Sequence, residues 1–374
     1  MPGPDVLPYR GVAAASAPRI AGYDLARALA ILGMVLVHFS LVMSFARMKE
    51  GWLAHVIEFL DGRAAATFVV LAGVGLTLRS RRAVGADDPQ ALRAVRRTIV
   101  RRGVFLLVAG YLNLTVWSGD ILRVYGVSLL LAAWLLHERD TTLWVVALGF
   151  VATFLVLFAT VDFSKNWDWE TLEYRLLWTA SGALRNLFYD GFRSVFPWTG
   201  LLVFGMWLGR RDLRDAGVRR RCLGVGAGLV VAVELLSRTV VHFVTSRPGG
   251  MDREEAVYLF GTTSMPPLPL FVLSAVGTAV AVIAASVGVA ERFPLALVVR
   301  ALVATGQLAF TWYVGHIFLG LGAVIALGLT ENKPLTVGVG TGLGFFALAA
   351  VVSLIWRRWF RYGPLEWVMR RLAG

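Results

Sequence analysis

Arg27 and His38 stand eleven residues apart in one apolar run, GYDLARALAILGMVLVHF, at residues 22–39. At about 100° per residue this spacing returns to nearly the same helix face, roughly 16 Å further along the axis. A guanidinium suits pairing with phosphates, and an imidazole titrating near about 6.5 suits taking a proton from a hydroxyl or amine. One stripe could therefore hold the charged end of a substrate at Arg27 and its reacting end at His38. Asp24, one turn before Arg27, belongs to the same candidate donor site, with a plain surface ion pair to Arg27 as the alternative. For His38 the plain alternative is a hydrogen-bonded packing residue.

A second group is His55, Glu58 and Asp61, spaced by threes in a stretch filled with Val56, Ile57, Phe59 and Leu60. This predicts a short interfacial amphipathic helix with His55, Glu58 and Asp61 on its polar side. A carboxylate such as Asp61 could orient the imidazole of His55, and a solvated polar face is the other reading. A third group lies in GQLAFTWYVGH, residues 306–316, where Gln307, Thr311 and His316 follow a slanting polar line with Tyr313 nearby. These four are the candidate substrate-contacting or cavity-lining residues. Glu234 and Arg238 at i,i+4, with His242 one turn on, read as an intramembrane ion pair or a part of the site.

Such groups must be positioned by membrane helices. Of 374 residues, 57% are hydrophobic and 16% charged, the composition of a polytopic membrane protein. A hydrocarbon core of roughly 30 Å needs about 20 mostly apolar residues per helix, and the runs are too long and too apolar for alternating barrel strands. The expected fold is all-α, a bundle of about ten transmembrane helices at 25–46, 64–79, 103–118, 121–136, 143–161, 196–209, 222–245, 267–289, 301–323 and 335–356; the second, third, fourth and sixth are short.

The net charge of +13 is carried by arginines in alternate loops rather than on one face, which argues for membrane topology and against a nucleic-acid partner. The loops from Arg79 to Arg102 and from Arg210 to Arg221 place both termini in the cytoplasm, with binding of a polyanionic donor as the second reading. On that topology His38, His55, His242 and His316 fall in the outer half and His137 in the cytoplasm. Residues 1–20 lack the apolar core of a signal peptide and are expected to be a cytoplasmic tail; residues 21–374 are expected to form one transmembrane domain in the cell membrane. Cys222 is the single cysteine, which excludes intrachain disulfides, and no metal site is expected. The glycines at 224, 226, 228 and at 338, 340, 342, 344 follow no strand; Gly224/Gly228 and Gly340/Gly344 have the spacing of close helix packing. The segment 162–195, with Trp167, Trp169, Trp178, Phe188, Tyr189 and Phe192, reads as an interfacial aromatic belt or as a platform for stacking sugar rings. Asp61-Gly62-Arg63 and Asp190-Gly191-Phe192-Arg193 echo each other faintly, as an old parallel repeat would.

The run from Arg19 through Asp24 and Arg27 to His38 resembles the first-helix signature of the transmembrane acyltransferase superfamily. Asp61-Gly62-Arg63 through LAGVGL, and WYVGH at 312–316, look like the heparan-alpha-glucosaminide N-acetyltransferase branch, and FRYGPLEWVMR at 360–370 resembles the bacterial YeiB-type proteins. The resemblance implies that His38 matches the catalytic histidine of membrane O-acyltransferases and Arg27 their helix-one arginine. It also implies that His55 falls near the catalytic histidine of the heparan branch, where position 38 is Asn. The activity so implied moves an acyl group, acetyl above all, from acetyl-CoA or another acyl-CoA acting as co-substrate, with no tightly bound cofactor, to a glycan-like or small acceptor at the outer face. A secondary transporter using Glu234, Arg238 and His316, and a non-catalytic membrane scaffold, are the competing readings. The sequence leaves the oligomeric state open, a homo-oligomer included.

Overall fold

The computed structural model describes residues 19–45, 51–169, 171–330 and 332–374, so nearly all of the expected tail lies outside the described residues. The described residues fold as helices, with one two-stranded antiparallel hairpin among them pairing Trp167–Asp168 with Glu173–Tyr174. The first half comprises α1 (Ala21–Ser44), α2 (Gly51–Leu60), α3 (Arg63–Gly85), α4 (Pro89–Leu114), α5 (Leu122–Ala132), α6 (Asp140–Thr160) and α7 (Ala180–Arg185). There follow α8 (Val195–Leu208), α9 (Ala216–Thr245), α10 (Arg253–Phe260), α11 (Pro269–Arg292), α12 (Leu297–Gln307), α13 (Ala309–Gly315), α14 (Gly322–Ala326), α15 (Leu335–Trp359) and α16 (Pro364–Ala373).

Among the described residues seven helical stretches are long and apolar enough to cross a membrane: α1, α2 with α3, α6, α9, α11, α13 through α14, and α15. The chain is therefore a polytopic membrane protein, with α5, α8 and α12 as shorter apolar helices. The segment expected to cross at 103–118 is the second half of α4, which begins earlier because Asp88 accepts from the N–H groups of Gln90 and Ala91 at 2.8 and 3.0 Å and Pro89 starts the first turn. The 14 residues of α8 reach only about 21 Å. It is nonetheless buried almost throughout, enclosed by α3, α5 and α6, so the irregular backbone before it meets protein and not lipid.

Packing places α1, α3, α8 and α11 in the interior, with α6, α9 and α15 flanking them. Small residues permit the closest crossings. A Cβ on Gly73 would lie 2.0 Å from the Leu202 carbonyl oxygen, and one on Gly205 would lie 2.1 Å from that of Val70, so α3 and α8 touch backbone to backbone. The expected pairs Gly224/Gly228 and Gly340/Gly344 are corrected: among the described residues no atom beyond their own helix turn lies within 4 Å of a Cβ at any of the four. The contacts run two residues out of step, through Gly226 against Gly277 and through Gly338 and Gly342 against α1, because the other faces of α9 and α15 are turned outward.

The expected ion pair of Glu234 with Arg238 is also corrected. Glu234 reaches across the bundle to Arg63, whose Nη2 donates to its Oε1 at 2.5 Å, while Ser274 and Thr262 hydroxyls donate to the same carboxylate. Arg63 is 2% exposed, and Arg238 lies exposed without a carboxylate partner among the described residues. A buried charge needs a partner more than an exposed one does, so Glu234 answers the guanidinium in the interior. His242 contacts Ser246, the residue that caps its own helix.

Candidate functional site

α1 delivers His38 to the end of the bundle opposite the arginine-rich loops. His316 reaches the same point because the helix expected at 301–323 is broken. α12 stops at Leu308 (φ −107°, ψ 28°), α13 restarts at Ala309, and a π-helical turn begins at His316. The ring nitrogens meet at 2.8 Å, His38 Nδ1 to His316 Nε2, with ring centroids 5.1 Å apart. His316 Nδ1 lies 3.1 Å from the Trp312 carbonyl oxygen. A carbonyl only accepts, so His316 Nδ1 carries a proton; in the neutral ring Nε2 is then an acceptor, and His38 Nδ1 must be the donor to it. The chain of bonds thereby assigns the lone pair of His38 to Nε2, which has no hydrogen-bond partner among the described residues. Trp117 packs on the other side of the His38 ring at 4.7 Å between centroids.

Two voids meet at His38. The larger, about 1610 Å³, is lined by α1, α2, the Leu114–Gly119 turn, the hairpin loop and Thr263–Met265. The smaller, about 20 Å³, is bounded by His38, Asp61, Gly62, Gly119, Arg193 and Tyr313. Asp61 accepts from Ser264 Oγ at 2.6 Å and lies 3.4 Å from Arg193 Nη2. His55 lines the larger void on α2, the short helix anticipated from its spacing, but its Nδ1 turns back to the Gly51 carbonyl at 3.2 Å and it meets neither Glu58 nor Asp61. Of the two histidines, His55 bonds only to the backbone of its own helix, and His38 is held by a side chain from another helix.

The polar line on the broken helix divides between Thr311 and Tyr313. Tyr313 and His316 belong to the site, and the Tyr313 hydroxyl accepts from the Ile121 N–H at 3.2 Å. Gln307 faces Asp24 at 3.5 Å, and Thr311 donates to Glu366 of α16 at 2.5 Å, so neither lines the two voids. Glu366 also accepts from the N–H groups of Phe310 and Thr311 at 2.8 and 3.0 Å, satisfying the donors that the break exposes. At the arginine-rich end, Asp24 is buried and accepts from Arg19 Nε and Nη2 at 2.6 and 2.8 Å and from Arg27 Nη1 at 2.7 Å. Arg27 is thus partly neutralised, and it lines neither void.

The aromatic segment folds into a cover over the larger void. Trp167 is buried, donating Nε1–H to the Asp190 carbonyl at 2.7 Å and packing on Tyr174 and Phe192, whereas Trp169 and Trp178 remain 40% and 65% exposed along the wall. Tyr174 donates to Asp190 Oδ1 at 2.7 Å, and Arg185 pairs with the other oxygen. Burial pushes the Tyr174 phenol and the Asp190 carboxyl above their usual ranges, against the lowering pull of Arg185 on each. Arg193, Trp117 and Ser264 were not among the candidates. The one trace of Arg193 is the echo between Asp61-Gly62-Arg63 and Asp190-Gly191-Phe192-Arg193, whose first aspartate and last arginine the fold brings face to face; Trp117 and Ser264 carry no such signal.

Residues 19–243 match the family described as heparan-alpha-glucosaminide N-acetyltransferase, catalytic, and residues 220–374 match a protein family of unknown function, DUF418. The chain is 24% identical to the uncharacterised protein YxaH of Bacillus subtilis over 94% of its own length and 93% of that protein's. It is likewise 24% identical to the uncharacterised protein YeiB of Escherichia coli, over 94% and 95% respectively. The first match spans His38, the α2–α3 corner and Arg193, which line the voids described above. The chain belongs to the heparan-alpha-glucosaminide N-acetyltransferase catalytic family, and so to the acyltransferase-like membrane proteins.

Proposed function

We propose that the protein is a membrane acyltransferase that moves an acyl group, acetyl by the family's name, from a CoA-type donor to a hydroxyl or amine acceptor. Both termini and the arginine-rich loops lie in the cytoplasm, about ten helices cross the cell membrane, and the large cavity faces outward. The donor's phosphates pair with the cationic inner face near Arg27, and its thioester reacts at His38, which lies roughly 16 Å further along α1 and lines both voids.

The observation that carries this reading is the bonded line from the Trp312 carbonyl through His316 to His38, which presents an unprotonated Nε2 at the junction of two voids. His38 is the general base: Nε2 takes the acceptor proton, and the resulting imidazolium keeps its Nδ1–H bond to His316, as a triad base leans on its orienting partner. His55 contributes to the cavity wall. Trp169 and Trp178, exposed along that wall, suit stacking against a sugar ring, consistent with an amino sugar or glycan as acceptor.

Full-length protein in lipid nanodiscs, given radiolabelled acetyl-CoA with glucosamine as the probe acceptor, is expected to release free thiol and labelled acceptor in equal amounts. His38→Ala is expected to abolish both, with His55→Ala retaining most of the rate. An unchanged rate in His38→Ala refutes the assignment.

A further inference from the structure

We propose that Arg193 and the small void beside it form the pocket for the carbonyl oxygen of the transferred acyl group, making Arg193 a catalytic residue. The inference rests on the acyl-transfer reading and adds the group that receives the developing negative charge.

Three contacts fix the guanidinium. Nη1 donates to the Phe192 carbonyl at 2.7 Å, Nη2 meets Asp61 at the long distance of 3.4 Å, and the guanidinium carbon lies 4.8 Å from the centroid of the buried Trp198 ring. The side chain is 11% exposed, so it is immobilised yet reaches a surface, and the surface it reaches is the wall of both voids. A guanidinium has five N–H groups, and two contacts leave three without a partner among the described residues.

A purely structural ion pair is the competing explanation, and the geometry speaks against it. Asp61 gives its short bond, 2.6 Å, to Ser264 and only the long one to Arg193, which leaves the guanidinium incompletely neutralised in the interior. That is a costly arrangement unless an anionic or strongly polar oxygen completes it.

The void matches one such oxygen. Its volume of about 20 Å³ holds roughly one water. His38 lines it together with Arg193, and Gly62 and Gly119 leave their stretches of its wall without a side chain. Gly62 adopts φ +70°, and a Cβ there would lie 2.3 Å from Ser264, so the wall depends on glycine.

In the transfer step the acceptor oxygen or nitrogen bonds to the thioester carbon, its proton passes to His38 Nε2, and the carbonyl π pair moves onto the oxygen facing Arg193. Collapse restores the C=O bond and breaks the C–S bond, and the leaving thiolate takes the proton from His38 to become the free thiol. Fixed N–H donors aimed at that oxygen act on charge present only in the transition state.

Diethyl pyrocarbonate tests the pocket without the natural donor. His38 Nε2 attacks its carbonyl carbon through the same kind of oxyanion; ethyl carbonate leaves and decays to ethanol and carbon dioxide, and loss of the Nδ1 proton gives the neutral ethoxycarbonyl imidazole. Modification rates at His38 and at exposed His55 would be followed by peptide mass spectrometry on the full-length protein. Arg193→Gln is expected to slow His38 at least tenfold and leave His55 unchanged, and Arg193→Lys, which keeps charge without the planar fork, to slow it about threefold. Should Arg193→Gln fail to fold, Arg193→Lys carries the test by the same readout. Equal His38 rates in folded wild type and variant overturn the pocket while a working acetyl-CoA assay leaves the transferase reading standing. A wild-type His38 that does not react while His55 does overturns the pocket as well, and loss of acetyl transfer in the separate assay is what would overturn the transferase.

Discussion

Replacing His316 by Phe isolates the relay. The ring that stacks on His38 at 5.1 Å is retained, but the Nε2 acceptor at 2.8 Å is removed. When His38 takes a proton, its Nδ1–H bond to His316 becomes charge-assisted, worth about 1.5–3 kcal/mol. At about 1.36 kcal/mol per tenfold, losing it slows the chemical step by about 10- to 150-fold. A second effect adds to this. Without the acceptor nothing holds the His38 proton on Nδ1, and the tautomer protonated at Nε2 has no lone pair to offer the acceptor molecule. The rate is measured as thiol release from acetyl-CoA, and the tautomer by NMR of protein labelled with 15N-histidine. Wild type is expected to show the His38 proton on Nδ1, and His316→Phe a mixture shifted to Nε2. His316→Gln, whose amide oxygen can still accept, is expected to recover part of the loss. A rate within twofold of wild type in folded His316→Phe, with the His38 tautomer unmoved, refutes the relay.

Three further outcomes follow from the packing and the cavity. Glu366→Ala strips the acceptor from the Phe310 and Thr311 N–H groups and should cost about 2–4 kcal/mol, read as a lowered melting temperature, with Glu366→Gln milder. Arg63→Met leaves Glu234 without its cation and should cost about 3–5 kcal/mol, whereas the double replacement Arg63→Met/Glu234→Met should recover most of it; an additive double variant would show that the two act separately. Trp178→Ala, at the cavity wall, is expected to raise KM for the acceptor with kcat little changed, and a fall in kcat alone would contradict a role in acceptor binding.

How much of this could be read without coordinates depended on whether the signal was local. Hydropathy over one helix length is local, so the membrane class, the existence of α1, α6, α9, α11 and α15, and the short amphipathic helix bearing His55 were legible from the amino acids. The eleven-residue interval between Arg27 and His38 was legible for the same reason, since helical period alone puts them on one stripe. Whatever depended on a partner distant in sequence was not. Glu234 had an arginine four residues away and pairs instead with Arg63, because burial and not proximity along the chain decides which charge most needs an answer. The glycines at the outward faces of α9 and α15 satisfied the spacing rule as well as those that pack, since spacing leaves open which face a helix turns inward. Most of all, the partner of His38 was out of reach: a break at Leu308 and a π-helical turn 278 residues from His38 together set one imidazole against another and so direct its free lone pair. The sequence by itself determined that a histidine would stand in an apolar helix on the stripe of an arginine; the tertiary structure decided which nitrogen of it is free, what holds it, and that Arg193 lines the same void.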